Sequence, residues 1–154
     1  MRLQVAVLTL FGSLAFVSAA GSAATADCLN GLGPTLLADG FSGSLDCQND
    51  QLSVQYIGEV EKFGRTFQIY AYQYRLKPVC PECAIHGGQR IIFMERGRYV
   101  GQYKPDLVLV TTRHGDLVFT PTDSASGESV TVEFTRDGPP QQLWVDGEVM
   151  DFFK

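Results

Sequence analysis

Beyond residue 40 the chain alternates short apolar runs with glycine, aspartate and proline, the pattern of strands joined by hairpins. The clearest runs predict strands at 52–58, 65–76, 90–95, 99–103, 107–113, 116–120, 129–136 and 142–145, with short pieces at 41–45 and 149–153. Arg96-Gly97, His114-Gly115, Ser126-Gly127, Asp137-Gly138 and Asp146-Gly147 each place glycine where a tight turn needs positive φ, so consecutive strands are expected to be antiparallel neighbours. No stretch after residue 40 repeats its apolar residues at helical spacing over ten or more positions, which argues against a parallel sheet with crossover helices. The expected fold is all-β: an antiparallel meander closing into a small barrel, with a two-layer sandwich as the alternative. Closure is favoured because it removes edges that invite aggregation.

Residues 27–40 are rich in Gly, Asn and Pro and read as an irregular arm with room for one helical turn at 34–38; the single β domain then occupies 41–154. Within it, the run 65–76 carries most information. Phe67, Ile69 and Ala71 point to one side, while Tyr70, Tyr72 and Tyr74 point to the other. The bland reading packs the tyrosines against neighbouring strands. The functional reading makes them a ridge of rigid, polar-tipped contact area.

The N-terminus changes the meaning of the composition. Arg2 precedes an apolar run from Val5 to Val17, then small residues lead to Ala24-Thr25-Ala26, the pattern of a secretory signal peptide over 1–26. The run falls short of the ~20 residues that a spanning helix needs, so no membrane span is expected once the signal is cleaved. A lipoprotein reading of Cys28 is set aside, because Asp27 stands where lipid-attachment signals carry a small residue. Loss of the first 26 of 154 residues leaves 128, and because they hold one of the 12 basic residues and none of the 17 acids, the net charge moves from −5 to −6. At that size one core can bury roughly two-thirds of the unfolded surface.

Export decides the cysteines. Cys28, Cys47, Cys80 and Cys83 are an even set in an oxidising compartment, secreted or periplasmic, and the favoured pairing is Cys28 with Cys47 and Cys80 with Cys83. Cys80-Pro81-Glu82-Cys83 resembles over those four residues the redox motif of glutaredoxins. Its sequel, Ala-Ile-His-Gly-Gly, would break the helix that stabilises a reactive thiolate, so a structural loop disulfide is preferred to thiol exchange. With His86 the same cysteines have the spacing of three zinc ligands, but a closed site needs a fourth. No metal or cofactor is therefore expected.

Charge is segregated along the chain. Between Arg65 and Arg113 eight basic residues face three acids; between Asp116 and Asp151 eight acids face Arg136 alone. Cross-strand pairing of the two halves is the plain explanation. A basic, tyrosine-bearing face for an acidic partner or anionic glycan is the sharper one. Nucleic acid fits poorly with export and net acidity. His86-Gly87-Gly88-Gln89-Arg90 offers a base, backbone donors and an anion clamp but no attached nucleophile, and Ser42 lacks the context of a nucleophile elbow. Trp144, between alternate apolar residues, is expected to plug the core, with glycan stacking as the alternative.

These readings converge on an exported envelope module that acts by binding, not catalysis, with the general build of small inhibitor and lipocalin-like barrels, to which it is similar in architecture only. Its candidate surface is Tyr70, Tyr72 and Tyr74 with Arg90, Arg96 and Arg98. Its expected partner is an envelope protein, a glycan, or a small hydrophobic ligand inside the barrel if Phe67, Ile69, Ile91 and Phe93 line a cavity. The competing reading is a periplasmic thiol-disulfide or metal-handling protein centred on Cys80, Cys83 and His86.

Overall fold

The computed structural model describes residues 27–106, 108–122 and 127–154. The expected signal peptide, residues 1–26, and Ser126 of one expected turn lie outside them. Among the described residues there is one short helix, α1 (Gly33–Ala38), started by Pro34, whose fixed φ suits a first helical turn. Nine strands follow: β1 (Gln51–Lys62), β2 (Arg65–Arg75), β3 (Gly87–Glu95), β4 (Arg98–Tyr103), β5 (Val108–Arg113), β6 (Asp116–Pro121), β7 (Val130–Thr131), β8 (Gln142–Val145) and β9 (Glu148–Asp151).

Four hairpins use the same two-residue turn. Phe63-Gly64, Arg96-Gly97, His114-Gly115 and Asp146-Gly147 all have both φ values positive, between 51° and 82°, which matches the right-handed twist of the strands they join. Every strand pair is antiparallel. The strands form three sheets, ordered β1-β2-β3-β4, β5-β6-β7 and β8-β9.

These sheets do not close into the expected barrel. Pro105 ends pairing after β4, and the outer edge of β4 is taken instead by the C-terminal segment, where Gln102 and Phe153 exchange backbone hydrogen bonds at 2.8 and 3.1 Å. On the other side, β1 and β5 lie near each other without pairing.

The four-stranded sheet carries a buried cluster on each face. One face, with Phe67, Ile69, Ile91 and Phe93, packs against Val110, Phe119, Phe134 and Val145 of the smaller sheets and their connections. The other, with Tyr72, Ile92, Met94 and Tyr99, is covered by Leu29 and Leu36 of the arm and by Phe41 just after it. Each such side chain, fully buried, stabilises by about 1.5–3 kcal/mol. The arm is fastened by the Cys28–Cys47 disulfide, with Cα atoms 5.8 Å apart. Asp39 adds a polar lock by accepting the Arg98 guanidinium and the Tyr99 N–H.

Several expected elements differ. Gly58 reads as a strand end, but β1 bulges there and runs on to Lys62, returning Val60 to the core. The run 129–136 forms a strand only at β7, with an isolated bridge from Thr135 to Gly138 beyond it, and 41–45 forms no strand, because its residues cap the arm side of the sheet. Trp144 is 63% exposed, not a core plug: alternation in the short β8 sends Leu143 and Val145 inward and leaves the indole outside.

Candidate functional site

The six residues of the expected binding face are not gathered into one surface. Tyr72 is fully buried; its hydroxyl donates to the Ser44 carbonyl at 2.7 Å and its ring meets Phe41 edge-on at 5.2 Å. Desolvation pushes this phenol up to about 12. Tyr74 stacks on Tyr72, and Tyr70 packs edge-on against Tyr56 at the uncovered margin of the same face. Arg90 lies beneath the arm with its guanidinium 5.7–5.9 Å from the rings of Phe41, Tyr74 and Phe153. Arg96 and Arg98 sit at the opposite end of the sheet, around the β3–β4 turn, where Arg98 is engaged by Asp39. Neither ion pair joins the basic stretch to the acidic one: Lys62, just before the basic stretch, meets Asp116 at 2.5 Å, and Arg65 pairs with Glu95 of its own stretch at 2.6 Å.

The interior, left open between a filled core and a ligand cavity, is filled where Phe93 lies: Tyr103 and Phe152 pack edge-on against it at 5.6 and 5.4 Å, and Phe134 lies 6.3 Å away. Cys80 and Cys83 are joined, Cα atoms 5.1 Å apart, in the exposed loop between β2 and β3. That bond takes up both sulfurs of the three-ligand reading with His86, and no helix begins at the motif. Among the described residues no three His, Cys, Asp or Glu side chains converge as metal ligands. The two disulfides fit an extracellular or otherwise oxidising compartment, and no described helix is long and apolar enough to cross a membrane.

A different site emerges from the register. On the core-facing side of the four-stranded sheet, successive cross-strand rows pass from Ile69 and Phe93 to Gln55, Ala71 and Ile91, then to Ser53, Gln73 and Gln89, and last to Gln51, Arg75 and Gly87. The apolar rows are covered by the smaller sheets; the polar rows are not. The cause is a splay between β1 and β5. These strands touch at Gly58, φ +155°, where a Cβ would collide with Thr112, and the Thr112 hydroxyl donates to the Ile57 carbonyl at 3.5 Å. Towards Gln51 open space lies between them, lined by Gln55–Ile57 and Val108–Thr112 and then by Gln51, Ser53, Pro105 and Asp106.

The gap is a cleft of two connected lobes. The larger, ≈ 720 Å³, lies over Gln51, Ser53, Gln73 and Arg75 and is walled by Pro105 and Asp106. The smaller, ≈ 450 Å³, lies between Gln55–Ile57 and Val108–Thr112. Gln73 and Gln89 line both. The smaller lobe has no ionisable side chain except the phenol of Tyr56, and the Thr111 hydroxyl beside it is buried without a hydrogen-bond partner. Such a lining donates and accepts hydrogen bonds through neutral amides and hydroxyls; it offers no paired base and nucleophile.

Compared with known proteins, the chain matches no family model, no curated protein and no solved structure. Sequence reasoning passed over the glutamines because polar alternates of a strand are ordinarily solvent-facing. The available signal was that Gln73 and Arg75 continue the Phe67-Ile69-Ala71 side of β2, so that the core side turns polar while still facing another sheet.

Proposed function

We propose that the protein is an exported, non-catalytic binding module of the secreted or periplasmic compartment, and that its ligand lies in the cleft between β1 and β5. The observation that carries this reading is the glutamine-lined floor, Gln55, Gln73 and Gln89, set on the core side of a rigid sheet yet left uncovered. A preformed concavity with a few convergent polar groups is the usual form of a binding site. The absence of Lys, Arg, Asp and Glu from its smaller lobe favours an uncharged ligand there over the acidic partner suggested by the charge pattern.

The disulfide-bonded protein, isotope-labelled and titrated separately with uncharged hexapeptides and neutral oligosaccharides, should show chemical-shift changes at Gln55, Gln73 and Gln89. A Gln73→Lys variant should weaken the effective probe about tenfold with its far-UV spectrum unchanged. Shifts confined to Arg96 and Arg98, or no response to either probe class, would refute the reading.

A further inference from the structure

Resting on that reading, we propose that the occupant of the cleft is an extended, uncharged peptide segment of another protein, which enters as an additional strand between β1 and β5 and bridges the two sheets. Among the described residues both flanking strands are sheet edges: β1 pairs only with β2, and β5 only with β6. Each edge therefore offers a row of backbone N–H and C=O groups without a strand partner, the usual template for strand addition. The two edges run in the same sense, since Gly58 meets Thr112 and, beyond it, Lys62 at the end of β1 meets Asp116, the β6 residue paired with Arg113 at the end of β5. An inserted strand can thus lie antiparallel to both at once, the orientation with the better hydrogen-bond geometry.

The side chains around the gap fit the same occupant. Residues of an inserted strand alternate, one set towards the floor and the other outward. The floor offers Ala71, Gln73 and Gln89, which accept small or neutral polar side chains, while Tyr56 and Leu109, 45% and 54% exposed, form apolar rims for the outward set. No Lys, Arg, Asp or Glu lines this lobe, so a charged segment would be desolvated without a counter-charge. The wall short of the Thr112 contact, Val108–Thr111, is four residues long, about 13 Å of extended chain, and sets the length of the paired segment.

The test uses a capped hexapeptide of alternating threonine and valine, the same peptide N-methylated at alternate amides, and a neutral oligosaccharide. Strand addition predicts saturable binding of the parent peptide and at least tenfold slower amide hydrogen exchange along both β1 and β5. It also predicts at least a tenfold loss of affinity on N-methylation, which removes backbone donors and keeps the side chains. Equal binding of the methylated peptide, or protection of neither edge, overturns strand addition and leaves a side-chain binding cleft. Occupancy by the oligosaccharide alone also overturns it while the cleft remains the site. No binding by any probe removes the cleft reading as well.

Discussion

Tyr72 condenses the conflict between the two readings of β2. A tyrosine on the arm side of the sheet can serve a partner only if its hydroxyl is free, and here it donates to the Ser44 carbonyl while desolvation holds the phenol near 12; Tyr99 on the same face is likewise pushed up to about 12. A folded value raised above the ordinary 10.0 means that this contribution to stability is complete below about pH 10 and is lost as pH rises through the folded value. At about pH 11 the native protein should therefore keep Tyr72 and Tyr99 protonated, and adding denaturant at that pH should produce a step in near-UV phenolate absorbance. Tyr72→Phe should cost about 1 kcal/mol in urea unfolding, the net worth of one hydrogen bond. An unchanged midpoint would mean that the Ser44 contact contributes nothing to stability.

At the level of elements, the hairpins were legible because glycine after a residue tolerant of positive φ is a local signal: three of the four X-Gly turns can be read directly from the chain. Phe63-Gly64 is the exception, since a bulky residue at φ 54° gives no such cue. The splay of β1 from β5 is not legible, because it depends on Gly58 meeting Thr112, 54 residues away, and no local pattern encodes that approach. The six-residue binding face failed for a related reason: alternation places a residue on a face but does not say that an arm will cover it.

Gly58 itself is testable. Its φ of +155° disfavours a side chain, and the space a Cβ needs is held by Thr112. Gly58→Ala should destabilise by about 1–3 kcal/mol. Adding Thr112→Ala, which empties part of that space, should recover a portion of the loss, whereas additive effects of the two changes would show that the strands are not in contact there.

For the whole molecule, the decisive feature is that one sheet serves two cores, and only one of them is tied down by a long-range covalent link. The Cys28–Cys47 bridge closes a sequence separation of 19 residues and, by chain entropy, is worth roughly 3 kcal/mol. It fastens the arm over Tyr72, Ile92, Met94 and Tyr99, while the core on the other face, around Phe67, Phe93 and Phe119, contains no arm residue. Replacing both cysteines by serine should therefore separate two events that the disulfide holds together. The arm should detach first, with dye binding to the exposed aromatic face and ionisation of Tyr72 and Tyr99 near the ordinary tyrosine range, while the far-UV β signal persists; the sheets should unfold in a second, later transition. The corresponding Cys80→Ser and Cys83→Ser variant is the control, because its loop is short, exposed and remote from both cores, and it should unfold in a single step with a smaller loss. Coincident dye-binding and circular-dichroism transitions in the Cys28/Cys47 variant would instead mean that the two cores form one cooperative unit, with the arm as integral to the fold as any strand.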